Sequence, residues 1–210
     1  DSEREALGDV GVSLVRDVRP FLNARERLLE GSLCLLAYAG LLAGHDRLDT
    51  AMADPVLRAL LDRYLTESAA VLPPVKGFDA DRYLADLKDR YANPALTLPL
   101  SRIAANGSRK MPVRVIPTII DAMRDGADAA APACTLAAWL IHCMSPDNHD
   151  EHAAHFWELA DQAGDDWARY VELACGFEPV FGSLGQNRQF QALVTRSVAL
   201  LPGLASLVDG

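Results

Sequence analysis

Three groups of side chains sit at spacings that chemistry could use. Between residues 91 and 120 the chain carries Arg102, Arg109, Lys110 and Arg114 and neither Asp nor Glu. In a chain whose net charge is −9, a run of one sign focuses field towards an anionic or hydroxyl-rich ligand; the plainer reading is that these cations pair with acidic helices nearby. Arg25, Glu26, Arg27 and Glu30 gather at the start of a strongly apolar stretch. Ionisable groups at the mouth of a buried helix mark a place for a pocket. Along that helix Glu30, three residues after Arg27, is expected to pair with it, whereas Arg25, five residues before, lies well round the axis. Glu30 is also the one carboxylate here that burial could tune into a base, a role weaker than its pairing. His149, His152 and His155 are spaced by three, as metal ligands on a helix often are. They lack a fourth ligand, and Glu151 and Glu158 point to a solvated face, so no metal is expected.

The elements that must position these groups are helices. Residues 20–43 read as one long helix, and from residue 33 to 43 nearly every side is apolar, which means burial on all faces. Gly40 lets a neighbouring backbone approach, and Gly44 is the stop. Asp54 caps a helix that opens on Pro55 and runs to about residue 71, where Pro73 and Pro74 break the chain. Asp79 caps another through about residue 91. Pro99 opens a short helix to about residue 105, and Asn106-Gly107 turns the chain. Residues 112–124 follow as helix despite Pro117, with Gly126 as stop. Residues 135–144, 149–163, 165–174 and 189–201 complete the set. The β-branched run at residues 11–18 is compatible with one strand, which would need a partner outside this chain. The expectation is an all-α fold of roughly nine helices, with residues 1–19 as a lead-in and residues 20–210 as one helical domain.

Composition narrows the function. With 210 residues, 50% of them hydrophobic, the chain can bury a sizeable core. The net charge of −9 argues against a nucleic-acid partner, because binding phosphates needs a basic face. No apolar run is long enough to span a bilayer, so no membrane partner is expected. Cys34, Cys134, Cys143 and Cys175 form no Cys-x-x-Cys pair and lie in apolar segments, which predicts buried free thiols in a cytoplasmic protein. The chain opens on Asp1 and carries no signal peptide, as a fragment or processed piece would. No G-x-G-x-x-G is present, and Gly182 and Gly185 follow no strand, so no dinucleotide site is expected in this chain.

Several motifs carry a resemblance. Ala37-Tyr38, Gly40, Leu42, Gly44, Ala51-Met52 and Asp54-Pro55 form one set. Arg90-Tyr91-Ala92-Asn93-Pro94-Ala95 forms a second; Arg102-Ile103-Ala104, Gly107-Ser108 and Lys110-Met111-Pro112 form a third; Ala137-Ala138-Trp139-Leu140 forms a fourth. Together they resemble the long-chain mannitol dehydrogenase family over about residues 10–145. The resemblance implies the helical C-terminal domain of such an enzyme, which oxidises polyols or reduces keto sugars and sugar acids with NAD or NADP. It also implies an N-terminal Rossmann domain that this chain lacks.

The resemblance further implies roles for positions. Arg102 and Lys110 stand where the family contacts the substrate's hydroxyls or acid group. Arg25, Glu30 and Leu33 stand at the family's catalytic lysine, asparagine and histidine, and Cys34 at its serine. The family's lysine takes the alcohol proton, which a guanidinium cannot do because it stays charged; Leu33 offers no hydrogen bond. Two readings follow. One is the substrate-binding domain of a dehydrogenase acting on a polyol, keto sugar or sugar acid, inactive as this chain alone. The other is a non-catalytic sugar-binding or protein-interaction module built on the same scaffold.

Overall fold

The computed structural model describes residues 14–75 and 77–201. Helix α1 (Arg19–Ala24) has Pro20 in its first turn and passes without a break into a π-helical segment (Arg25–Glu30) and then α2 (Gly31–Leu42). Helix α2 is buried on all sides, from Cys34 through Gly40 without exception, as its apolar sequence requires. It ends where Gly44 takes φ 87°, a left-handed conformation that costs glycine nothing.

A second such helix, α9 (Ala130–His142), packs beside it, and the two form the centre of the molecule. Against this pair lie α3 (Leu48–Ala53), α4 (Pro55–Ala70), α6 (Leu100–Ala104) and α13 (Arg188–Leu200). Helices α5 (Ala80–Tyr91), α7 (Gly107–Arg114), α8 (Ile116–Asp125), α10 (Ala153–Ala163), α11 (Trp167–Cys175) and α12 (Glu178–Phe181) complete the shell, with one 3-10 turn (Gly182–Gln186). No strand occurs among the described residues beyond a single antiparallel bridge between Arg47 and Pro99. The fold is all-α, as expected.

Most helix starts follow from their caps. Asp54 accepts from the Val56 and Leu57 amides, Asp79 from Arg82, Asp166 from Arg169, and Asn187 from Gln189 and Phe190. Four expectations need correction. Of the strand read over residues 11–18, residues 14–18 carry none, and residues 11–13 lie outside the described residues. Helix α3 occupies a stretch read only as the approach to the next cap. The helix read over residues 112–124 is two helices: α7 contains Pro112, and Val115 at φ −118° ends it before Pro117 opens α8. The helix read from residue 149 begins at Ala153, because Asp150 faces the other way and takes the Ser108 amide and hydroxyl, each at 2.7 Å.

All four cysteines are free and buried. No helix among the described residues is long and apolar enough to cross a membrane.

Candidate functional site

The charged residues at the head of α2 are arranged by its π winding. In an α-helix, residues five apart sit about 140° away from each other round the axis. The π segment instead closes its turns through i→i+5 bonds, and the Gly31 amide donates to the Glu26 carbonyl. Residues five apart then stack on one side. Arg25 Nη2 meets Glu30 Oε1 at 2.7 Å, which overturns the expected Arg27–Glu30 pair. Arg27, only 2% exposed, turns the other way into the core, where it meets Asp121 at 2.6 Å and donates to Thr118 Oγ1 at 2.9 Å.

Side chains from neighbouring helices hold the π segment open. Tyr64 of α4 donates its hydroxyl to the Arg27 carbonyl at 3.1 Å, and Tyr91 of α5 donates to the Leu29 carbonyl at 2.9 Å. The Tyr64 hydroxyl fits because residue 31 is glycine: a Cβ there would land on that oxygen and 2.8 Å from the Arg114 carbonyl.

Helix α7 brings the second half of the site to this segment. Its entry is a tight turn. Asn106 adopts φ 57°, in the left-handed region that asparagine tolerates, and its amide donates to the His149 carbonyl. Gly107 packs against the indole nitrogen of Trp139, and a Cβ there would also lie 2.6 Å from the Tyr38 hydroxyl. That hydroxyl donates to the Ala104 carbonyl at 2.8 Å, tying α6 to α2. The motif residues around Asn106-Gly107 thus set the direction of α7 rather than doing chemistry themselves.

The four cations of the acid-free stretch separate into two classes. Arg109 is bound by Glu151 in a two-pronged pair. Arg114 bridges Glu26 and Glu30, both at 3.3 Å. Arg102 and Lys110 have no carboxylate partner among the described residues. Arg102 is exposed on α6, and Lys110 Nζ donates to the Ile103 carbonyl at 2.7 Å. Burial pushes the Lys110 ammonium below the usual lysine range; Arg114 pushes the same way, while Cys34, Glu30 and Asp150 oppose. Cys34, fully buried, has its thiol pushed up by the same desolvation.

Arg25, Glu30 and Lys110 therefore belong to one electrostatic cluster with Glu26, Arg114 and Cys34. Leu33 is half-buried against the core and contributes no polar group. Arg114 and Glu26 were not singled out from the sequence as site residues, although the acid-free run contained the first and the head of α2 the second. A cleft of about 680 Å3 opens at the opposite end of α2, lined by Leu41, Leu42, Ser101, Ile141, His142 and His149 among others. None of Arg25, Glu30, Leu33, Arg102 or Lys110 lines it.

No group of three His, Cys, Asp or Glu among the described residues is arranged to hold a metal ion. His149 and His152 precede α10 rather than lying on it, and His152 and His155 pack on the Phe177 ring at 4.9 and 4.5 Å. Gly185 is pressed against the Cys175 carbonyl, where a Cβ would clash.

Helices around a buried pair, with a cluster of paired charges at the head of one of them, define an all-α domain. The profile of the mannitol dehydrogenase C-terminal domain matches residues 17–201, beyond the 10–145 over which the motifs were legible, and the chain belongs to that family. It is 30% identical to the D-mannonate oxidoreductase of Escherichia coli over 195 residues, covering 89% of this chain and 40% of that protein. It is 29% identical to mannitol dehydrogenase 2 of Saccharomyces cerevisiae over 199 residues, covering 90% of this chain and 39% of that protein. Among solved structures, the mannitol 2-dehydrogenase of Pseudomonas fluorescens in ternary complex with NAD and D-mannitol superposes with a TM-score of 0.86 at 28% identity, over 97% of this chain and 43% of that one. The chain thus spans about two-fifths of the length of these relatives.

Proposed function

We propose that this chain is the substrate-binding domain of an NAD(P)-dependent oxidoreductase acting on a polyol, keto sugar or sugar acid. The observation that carries the reading is the sorting of the cations. Arg109 and Arg114 are consumed by carboxylates, whereas Arg102 and Lys110 meet none among the described residues, and Lys110 spends one N–H on the Ile103 carbonyl. Those two are the positions where the family contacts substrate. Ammonium and guanidinium donors suit hydroxyl and carboxylate oxygens alike. The relatives named for mannitol and mannonate chemistry support both substrate classes. The nicotinamide dinucleotide, when bound, supplies the hydride acceptor, and an upstream Rossmann domain joined through residues 1–19 would hold it. Buried free thiols support a cytoplasmic setting.

The test is NAD- and NADP-dependent oxidation by the complete gene product over a panel of polyols and sugar acids. Turnover of at least one is expected. A complete protein that binds dinucleotide and turns over none overturns the reading.

A second reading has its own support. At the family's catalytic positions Arg25 and Glu30 are locked to each other at 2.7 Å, and Leu33 is apolar. That arrangement suits a non-catalytic sugar-binding or protein-interaction module on the same scaffold. Restoring Arg25→Lys, Glu30→Asn and Leu33→His in an inactive full-length protein, with gain of polyol oxidation, would establish it.

A further inference from the structure

We propose that the proton acceptor of this site is Lys110, on α7, rather than any residue at the head of α2. The proposal rests on the dehydrogenase reading above. Oxidation of an alcohol breaks the O–H and the carbinol C–H bonds. The hydride leaves for a nicotinamide-class oxidant, and the hydroxyl proton must go to a base on the protein.

The groups near enough to serve can be taken in turn. Arg25 keeps its proton at any pH the protein meets. Glu30 has one carboxylate oxygen on Arg25 at 2.7 Å and the other on Arg114 at 3.3 Å. Both of its oxygens are thus already committed to guanidiniums. Glu26 is engaged by Arg114 at 3.3 Å and by Arg25 at 3.9 Å. The Cys34 thiol is fully buried and faces Arg114. Leu33 has no proton chemistry.

Lys110 differs from all of these. Its nitrogen is anchored through a single hydrogen bond to a backbone carbonyl, which fixes its position without neutralising it. Once deprotonated, the amine can keep that bond through one N–H and aim its lone pair elsewhere. The surroundings favour the neutral form: the side chain is half-buried, and Arg114 lies one turn along the same helix. The charges that oppose are known. Glu30 from the π segment is already shared between two arginines, Asp150 is held by the Ser108 amide and hydroxyl and the His152 amide, and Cys34 on α2 is a buried thiol. From α8, Asp121 is spent on Arg27 and Arg124, Arg124 also pairs with Asp125, and Glu178 of α12 is exposed. A lysine made acidic by desolvation and by a neighbouring cation is a recognised general base. The chemistry lost with a lysine at residue 25 is thus recovered by one on an adjacent helix.

Two measurements on the full-length protein test this. In the first, lysines are reductively methylated with 13C label and titrated by NMR, Lys110 being identified by the signal missing in Lys110→Arg. Its midpoint is expected below that of Lys88, an exposed lysine paired with Asp62. In the second, Lys110→Ala is expected to lose oxidation by about 10²–10⁴-fold, the usual contribution of a general base. Added primary amines restore turnover, more so as their basicity rises, which a residue that only binds substrate would not allow. A Lys110 that titrates with Lys88, or amines that fail to restore turnover to Lys110→Ala, overturns the proposal while leaving the dehydrogenase reading intact. A wild-type protein inactive on the whole panel overturns both.

Discussion

Gly31 and Gly107 let bulky neighbours come within reach of the chain at the two ends of the charged cluster. At Gly31 the neighbour is the Tyr64 hydroxyl, and at Gly107 it is the Trp139 indole. Both neighbours are fully buried aromatic side chains that cannot swing aside. Gly31→Ala is expected to cost about 1–3 kcal/mol, the range for overpacking a filled core, read as a lower urea midpoint at unchanged slope. Arg27 poses the opposite problem. Asp121→Ala would leave its guanidinium buried with only the Thr118 hydroxyl, and about 3–5 kcal/mol of stability should be lost in the same measurement. Double replacement by apolar residues of matching volume should recover most of that, since neither charge then remains to be desolvated.

Among the helices, α9 carries its own pH response. His142, at the end of α9, is 7% exposed and stacks on Tyr38 with ring centroids 5.4 Å apart. The carbonyl end of a helix favours imidazolium, but burial prevails and holds the His142 pKa below 6.5. The folded state therefore takes up its proton later than the unfolded chain as pH falls. Stability should decline below about pH 6.5 until the folded pKa is passed, and level off beneath it. Urea unfolding at pH 7.5 and pH 5 should show this loss, and His142→Phe should reduce it. The same helices mark what could be read from the amino acids alone. Caps at Asp54 and Asp79, and the stops at Gly44 and Gly126, are local signals and were legible. So was the all-round burial of α2, from its unbroken apolar run. The split of α7 from α8 was not, because Pro112 and Pro117 give the same local signal and only the packing decides which ends a helix. The π segment was not either. Nothing in RERLLE distinguishes it from an α-helix; the donors that hold it open come from Tyr64 and Tyr91, 37 and 62 residues away. That one change of winding altered every ion pair inferred at the head of α2.

For the molecule as a whole, charge and surface give the outward view. A net charge of −9 surrounds a site whose Arg102 and Lys110 have no carboxylate partner among the described residues. If a sugar acid binds there, the attraction is Coulombic and screened by salt. The KM of the complete protein for a sugar acid should rise between 50 mM and 500 mM salt, while that for a neutral polyol stays level. At the same end, Leu14, Val15, Val18 and Leu22 are all about half exposed, an apolar lead-in running straight into α1. Between that lead-in and α2 stands the wide turn, and its consequence is one of phase. Removing a single residue from within RERLLE would let the chain wind on with the ordinary period. The wide turn holds one residue more than an α-helical turn, so that loss would leave everything upstream close to its present phase. What it would undo is the stacking of residues five apart, and with it the meeting of Arg25 and Glu30.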